Sequence, residues 1–285
     1  MKRIITLCIL IVSGIITQAQ TDTTGKKPPE SDTIRVGGMI IIRKPGNKDK
    51  ELSEKELKIR ERKSEKPSRI STNWLILDLG FSNYIDNTDY SSTAAQQYAP
   101  GSNASWFQIK GWKSRNVNIW VFMQRVNVAK HILNLKYGLG LELNNYRFKQ
   151  RVRFTENPLA IVNPPIVVLD TASHRSYSKN KLAADYLTVP LMININFTPN
   201  RNEGFGFSAG ISAGYLYSAR NKTITSDEGK KKAKDDFELE KWKLSYIGEL
   251  TMGPVKLYGS YAMKNMYSRG LDFTPYTFGF RISNW

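Results

Sequence analysis

The chain has 285 residues, 11% of them aromatic, and a formal net charge of +17. Its negative mean hydropathy argues against a bundle of membrane-spanning helices, but it is compatible with a β-barrel that has a polar lumen and polar loops. The single cysteine, Cys8, lies in the apolar N-terminal run, so the rest of the chain contains no disulfide and no cysteine metal ligand.

Residues 1–19 have the pattern of a signal peptide. Lys2 and Arg3 form a basic start, residues 4–16 are an apolar run that is short for a spanning helix, and Ala19 ends a small-residue cleavage motif. A short membrane anchor is the alternative. We expect an exported chain of this charge to meet lipid phosphates, and we predict that it does not bind nucleic acid.

Residues 20–72 are predicted to form a mostly irregular periplasmic extension. Within it, two β-prone runs flank Gly37 and Gly38, which predicts a short hairpin over residues 32–44. Residues 51–66 alternate acids and bases, which predicts a short solvated helix or a linker. Because an isolated hairpin is marginally stable in water, it either frays or adds its strands to the sheet of a periplasmic protein partner.

The remainder, residues 73–285, is predicted to form an all-β domain, an eight-stranded antiparallel transmembrane β-barrel. The clearest strand, residues 131–146, alternates leucine or tyrosine with asparagine, glycine and single charges, and it is longer than a typical strand of about 5–6 residues. The second strand is assigned an apolar face that includes Val121 and Met123. The eight predicted strands are residues 74–84, 116–126, 131–146, 186–197, 204–218, 239–252, 255–267 and 275–283.

The connections between these strands alternate in length. Long connections follow the odd-numbered strands, at residues 85–115, 149–185, 219–238 and 268–274. Short turns follow the even-numbered strands, at residues 127–130, 198–203 and 253–254. This asymmetry predicts a barrel in the cell outer membrane with long outer loops, short periplasmic turns and a periplasmic N-terminal extension. A soluble up-and-down barrel, with its apolar side inward, is the alternative.

Two motifs and the strand between them carry a family resemblance. The motifs are residues 185–193 (DYLTVPLMI) and 278–282 (FGFRI), and glycines alternate along residues 206–214. In these features the chain, over residues 74–285, resembles the outer-membrane β-barrel domains of the Bacteroidetes PorT-like family. The resemblance implies the barrel fold and leaves the function open. The terminal Trp285 falls out of step with the outward side chains of the last predicted strand.

A barrel of this kind implies outer-membrane lipid, lipopolysaccharide and the barrel-assembly machinery as partners. Charged side chains on the inward faces are expected to pair with one another, because eight strands enclose a lumen just wide enough for side chains. The predicted inward charges are Asp78, Lys136, Glu142, Lys241, Lys243, Glu249, Lys256, Lys264 and Arg281. An ionic plug is the favoured interpretation, and a narrow anion-selective path lined by excess lysine is the alternative.

Catalytic chemistry has little support in the sequence. The histidines are His131, at a predicted strand end, and His174. His174 and Ser176 resemble the His-x-Ser spacing of an outer-membrane lipid A deacylase, but they lie in a long loop without an evident orienting carboxylate. Two histidines, with no cysteine after the predicted signal peptide, argue against a zinc site, and no phosphate-binding glycine loop or GxSxG motif occurs. We therefore predict no catalytic, cofactor-binding or metal-ligating residues.

Two predicted outer loops are rich in positive charge. They are expected either to meet lipid phosphates at the outer leaflet or to remain solvated. The basic residues are Arg175, Lys179 and Lys181 in the second long loop and Lys230, Lys231, Lys232 and Lys234 in the third. The sequence thus predicts an integral outer-membrane barrel with a structural, binding or assembly role and no enzyme activity. A lipid-modifying enzyme and a small pore are the alternatives.

Overall fold

The computed structural model describes residues 33–36, 39–42, 68–156, 165–199 and 204–283. The chain divides into two units, Met1–Pro67 and Ser68–Trp285. Three predicted features lie outside the described residues. They are the signal peptide, the charged helix or linker at residues 51–66, and the register of Trp285.

The first unit contains a two-stranded antiparallel sheet. Its strands are β1 (Thr33–Val36) and β2 (Met39–Ile42), with Thr33 opposite Ile42. Isoleucine and valine supply most of both strands, and these β-branched residues favour extended backbone. Both strands lie within residues 32–44, where the sequence predicts a hairpin, and the docking of this sheet to a partner stays a prediction.

The described part of the second unit is a closed antiparallel barrel of eight strands, in the order β3, β4, β5, β8, β9, β11, β12 and β13, with β13 returning to β3. The barrel strands are β3 (Ile70–Asp86), β4 (Arg115–Ala129), β5 (Leu133–Arg147), β8 (Tyr177–Asn196), β9 (Phe205–Thr225), β11 (Trp242–Met252), β12 (Val255–Ala262) and β13 (Phe273–Ile282). Three short strands lie in the long connections, namely β6 (Val152–Phe154), β7 (Val167–Leu169) and β10 (Gly229–Ala233). The predicted fold class is confirmed.

The apolar faces of the strands point outward, as predicted. Along β5 the polar residues Asn134, Lys136, Glu142 and Asn144 are buried, while the leucines between them are partly exposed. Aromatic side chains stand exposed near both ends of this outward apolar belt, among them Trp74, Trp112, Phe197, Phe205, Tyr215, Tyr217 and Trp242. An outward apolar belt flanked by aromatic residues is what a barrel in a bilayer requires, and a soluble barrel would have the opposite faces.

The assignment of Met123 to the outward face is wrong. Pairing between β4 and β5 shifts register between Trp120 and Phe122, so Val121 is an extra residue on β4. An extra residue of this kind reverses the alternation beyond it. Phe122 therefore points outward against Trp74, with ring centroids 5.9 Å apart, and Met123 is buried in the lumen.

Strands β8 and β9 are longer than predicted, at 20 and 21 residues. Outward apolar residues alternate on β8 only from Leu187 onward and on β9 only as far as Tyr217. A tilted strand crosses a bilayer with about 9–11 residues. Residues 187–196 of β8 and 205–217 of β9 form the belt, and residues 177–186 and 218–225 extend beyond it toward the long loops.

The long loops are folded rather than open. Helix α1 (Thr93–Tyr98) begins at Ser92, whose side chain accepts a hydrogen bond from the Ala95 amide, and a 3₁₀ turn covers Gly111–Lys113. β6 pairs with β7, and β10 pairs with the extension of β9. No helix in the described ranges is both long and apolar enough to cross a membrane.

The ends of the barrel give a labelling prediction. With Cys8 removed by substitution, Ser178→Cys in the β8 extension should react with a membrane-impermeant thiol reagent in intact exporting cells. Ala129→Cys, at the short turn between β4 and β5, should react only after lysis. Both native residues are exposed, so accessibility of the side chain itself does not decide the outcome. Labelling of the second variant alone in intact cells would reverse the orientation.

Candidate functional site: the barrel interior and its cap

Arg281 is the centre of a buried ionic network inside the barrel. Its guanidinium donates to both carboxylate oxygens of Asp78, at 2.7 and 2.8 Å, and to Glu249 at 2.5 Å. The second oxygen of Glu249 accepts a hydrogen bond from Lys136 Nζ at 2.7 Å. Such charge-assisted bonds are the strong ones, and here every group is shielded from water.

Asparagine side chains extend this network toward the loop end of the lumen. Asn118 Nδ2 donates to Asp78 at 3.1 Å, and Asn116 Nδ2 donates to the side-chain oxygens of Asn118 and Asn144, both at 2.9 Å. Asn144 Nδ2 in turn donates to Glu142 Oε1 at 2.9 Å, and the same oxygen pairs with Lys243. The chain of contacts therefore runs without a break from Lys136 to Lys243.

Every strand of the barrel contributes to this lumen network. Lys136 also donates to Ser208 on β9 at 3.1 Å, Glu142 accepts from Thr188 on β8 at 3.5 Å, and Tyr258 on β12 donates to Asn116 at 2.5 Å. Three carboxylates meet three cations within it, so the ion pairs balance. A network of this kind provides partners for the buried charges and connects the eight strands of the barrel across the lumen.

Seven of the nine predicted inward charges are buried, and the six other than Lys256 pair with one another as the predicted ionic plug requires. Lys256 is one of the seven, and its Nζ donates to the backbone and hydroxyl oxygens of Ser283 at 2.8 and 2.6 Å. The prediction is wrong for Lys241 and Lys264, which are exposed. Both lie just beyond strand ends, Lys241 before β11 and Lys264 after β12, so neither side chain enters the lumen.

Apolar side chains fill the lumen nearer the short turns. Ile76, Trp120, Met123 and Met192 form a buried cluster there, with Ile247 packed against it. Trp120 also links the two layers, because its indole nitrogen donates to Asp78 at 2.8 Å. A cavity of about 30 Å³ remains beside this cluster, a volume that holds only one or two water molecules.

A second buried cluster, the cap core, closes the loop end of the barrel. Tyr84 stacks on Phe273 with centroids 4.4 Å apart, and Tyr98 donates to the Phe237 carbonyl at 2.8 Å. The cap core consists of Tyr98, Ala99, Phe107, Tyr146, Phe148, Val152, Phe154, Ile166, Val167, Leu182, Ala184, Tyr186, Leu216, Ala219, Phe237, Leu239, Met266, Tyr267, Leu271 and Phe273. Residues of all four long loops pack here.

Sequence reasoning missed this cap core because it treated the long connections as loops. The signal was present in isolated apolar residues, such as Phe107, Phe154, Phe237 and Leu271, within otherwise polar segments. A polar loop has no need of such residues, and their burial excludes water from the mouth of the barrel. The loop end is therefore sealed in the described residues by packing, in addition to the ionic network below it.

The predicted histidine and serine lie on the outer surface of the cap. His174 is 72% exposed, and its Nε2 is 3.8 Å from Asp227. That carboxylate is engaged by Arg175 at 2.8 Å, which lowers the pKa of Asp227 to about 2. Ser176 bonds through its backbone to Ser226, and no hydrogen bond between His174 and Ser176 is present among the described residues. His131 lies in the turn between β4 and β5.

Arg175 also pairs with Asp170 at 2.7 Å. Because Asp227 lies in the connection after β9, Arg175 links the loop before β8 to that connection. We call Asp170, Arg175 and Asp227 the cap ion cluster. Burial raises the pKa of Asp170, but hydrogen bonds from Tyr177 and Arg175 outweigh this effect and lower it to about 2. Within residues 68–156, 165–199 and 204–283, no group of three or more histidine, cysteine or acidic side chains is arranged to hold a metal ion.

These pKa values predict acid loosening of the cap. Asp170 and Asp227 have an ordinary pKa of 3.8 and a folded-state pKa of about 2, so their contribution to stability is complete above about pH 4 and declines as the pH falls toward 2. Pepsin cleavage within residues 165–181 should therefore increase over this interval. Arg175→Gln should be cleaved already at pH 4, whereas exposed Lys234→Gln should behave as the parent does. A pH-independent rate would contradict the assignment.

Comparison with known proteins adds a family relationship. The profile of the family described as outer membrane protein beta-barrel domain matches residues 76–268, about two thirds of the chain. The match begins inside β3 and ends after β12, so it covers seven of the eight barrel strands, with their first three long loops, and stops before β13. No curated protein matches the chain in sequence.

Proposed function

The chain belongs to the family of outer-membrane protein β-barrel domains and resides in the outer membrane, and from this premise we propose that it acts there as a sealed scaffold. In this proposal the barrel anchors the chain in the bilayer. The folded cap supplies a rigid binding surface outside the cell, and the β1–β2 sheet supplies strands for a periplasmic protein partner. The role is structural, binding or assembly rather than transport or catalysis.

The lumen network is the observation that carries the proposal. Ion pairs reach Arg281 from two sides of the barrel, and the cap core lies between them and the outside. An ion would have to displace these pairs, which are hydrogen-bonded and dry, to pass through. A rigid interior of this kind holds the cap in one conformation, which a binding surface requires.

Planar bilayer recordings test the proposal. The purified full chain should show no unitary conductance steps above baseline, while a porin inserted from the same detergent serves as the control for fusion. Discrete anion-selective steps that change in Lys136→Met would support the pore alternative instead and would contradict the sealed scaffold.

The lipid-modifying alternative has one observation in its favour, the approach of His174 to Asp227. Ser176 would have to turn toward this histidine to be activated, and the carboxylate would have to leave Arg175. Mass spectra of lipid A from cells with the parent chain and with Ser176→Ala decide the matter. Identical spectra are expected, and an acyl chain lost only with the parent would establish an enzyme.

Within the family, we propose that the chain belongs with the PorT-like proteins of Bacteroidetes. The support is the motif at residues 185–193, whose alternate side chains form the outward face of β8, and the aromatic outward face of β13. Membership in this group implies the barrel fold and does not imply a function.

A further inference from the structure

Four cations lie directly opposite one another across four neighbouring strands. Arg147 on β5 pairs with Lys181 on β8, Lys181 with Lys222 on β9, and Lys222 with Lys232 on β10. We call these residues the cation row. At about 4.8 Å between strands, the row is about 14 Å long.

The cation row faces away from the cap core, on the outer wall of the barrel extension. Leu182 beside Lys181 and Tyr146 beside Arg147 belong to the cap core, and successive side chains of a strand point to opposite faces. Lys222 follows the buried Asn221 in the same alternation. The four cations therefore line the surface that surrounding lipid would touch.

Within the described residues the row is not neutralised, because the attraction of Asp185 for Lys181 is weaker than the repulsion from the neighbouring cations. Among the described residues no ion pair involves any of its four members, and the carboxylate on this wall, Asp185, is held by Arg220 at 2.6 Å. Arg147 donates to the Ser178 carbonyl at 2.6 Å and Lys181 to the Asn145 side chain, which are neutral acceptors. Like charges directly opposite on neighbouring strands destabilise a sheet, and four in sequence repel one another.

The repulsion is visible in the electrostatics of the row. Residues 177–186 stand beyond the belt, so Lys181 lies outside the membrane-spanning segment. Desolvation together with the positive charges of Lys179, Arg220 and Lys222 lowers the pKa of Lys181 to about 8. An anion seated on the row would remove this repulsion, and phosphate oxygens accept hydrogen bonds from lysine and arginine strongly.

The height of the cation row above the hydrocarbon core indicates which anion binds there. Lys181 lies six residues from Leu187, the last outward apolar residue of β8. At about 3.3 Å per residue and a tilt of about 40°, this places the lysine Cα about 15 Å above the hydrocarbon edge. A phospholipid headgroup layer is only about 5–7 Å thick on each side, whereas the saccharide headgroup of lipopolysaccharide reaches higher.

We propose that the cation row is a binding site for the phosphorylated saccharide headgroup of lipopolysaccharide. Its acyl chains would lie against the outward belt below, where Leu187 and Tyr217 are exposed. The lysine side chains would bend toward the bilayer to reach the phosphates. The inference goes beyond the sealed scaffold and needs only the orientation in the outer membrane, with the long loops outside.

Lipid titration tests the site. The full chain in detergent micelles is titrated with deep-rough lipopolysaccharide, which carries lipid A and inner core sugars, and with the same preparation after removal of its phosphates. The parent should bind the phosphorylated form at least about tenfold more tightly. The variant Lys181→Gln/Lys222→Gln/Lys232→Gln should lose this preference, since each lysine near an anionic surface contributes about fivefold.

A matched control removes the same charge elsewhere. Lys113 and Lys264 are exposed and lie in other connections at the loop end of the barrel, and exposed Lys241 lies nine residues beyond Lys232, directly before β11. Their triple substitution by glutamine should leave affinity within about twofold of the parent, and heat-modifiable gel mobility verifies that both variants are folded. If the row variant fails to fold, Lys222→Gln alone should lose about fivefold.

Three outcomes would overturn the proposal. They are equal losses in the row and control variants, equal binding of the dephosphorylated lipid by the parent, and equally tight binding of phosphatidylglycerol or inorganic phosphate. The last outcome would identify a general anion site instead. None of these results depends on conductance, so failure of the lipid site and failure of the sealed scaffold are distinguishable.

Discussion

Replacing Arg281 by methionine should lower the free energy of unfolding by about 3–5 kcal/mol, because two buried carboxylates lose their shared cation. Asp78, fully buried, would keep only neutral donors such as Trp120 and Asn118. Glu249 would keep Lys136. The largest loss is therefore expected at Asp78, where a bidentate pair disappears without a replacement cation.

Urea titration of the folded chain in lipid vesicles, followed by tryptophan fluorescence, measures this effect. Arg115→Met is the matched control, because Arg115 is exposed and lies over the Phe81 ring on the outer wall. It should change stability by no more than about 1 kcal/mol, the contribution of an exposed cation–π contact. Asp78→Asn combined with Arg281→Met should recover part of the loss, since the unpaired charge is gone. Equal midpoints for the parent and Arg281→Met would remove the lumen network as a stabilising element.

Replacing Leu139 by arginine should cost about 2–4 kcal/mol, because its side chain faces lipid near the middle of β5. Leu139 lies opposite Phe122 on the outer wall. The bilayer interior offers no partner for a guanidinium at this depth, and the side chain can reach water only by deforming the lipid around it.

The depth dependence supplies the control for this prediction. Leu133 lies on the same face at the first residue of β5, where an arginine should cost only about 0–1 kcal/mol. Gly138→Ala tests the opposite face, since a Cβ there would lie 2.5 Å from the Phe122 carbonyl oxygen. If the arginine variants at positions 133 and 139 unfold at the same urea concentration, the belt is not centred where β5 indicates.

Strand identity and facing follow from the sequence wherever alternation is unbroken. Residues 187–196 alternate outward aliphatic side chains with inward ones such as Thr188 and Asn194, and both faces are as predicted. This works because a strand places successive side chains on opposite sides, so a local pattern is sufficient. Ring closure also follows, since each strand needs two neighbours in a bilayer, and a ring in which every pairing is antiparallel has an even number of strands.

Tertiary structure decided what local pattern does not contain. The bulge at Val121 depends on how β4 aligns with β5, and it alone turns Met123 inward. The partner of Arg281 is Asp78, 203 residues away in the chain, which ring closure brings onto the adjacent strand. Composition shows that inward charges must pair, but only three-dimensional register shows which ones do.

The cap core and the cation row also combine features determined by the sequence with features determined by tertiary structure. The sequence alone determined that the loops are basic and that the belt is apolar, because charge and hydropathy are properties of single residues. The assembly of scattered aromatics such as Phe107 and Phe237 into one core required the loops to meet over the barrel mouth. The alignment of Lys181 with Lys222 required the strand extensions to pair. Both are contacts between segments distant in the chain, and such contacts contribute interaction energy only after the barrel has closed.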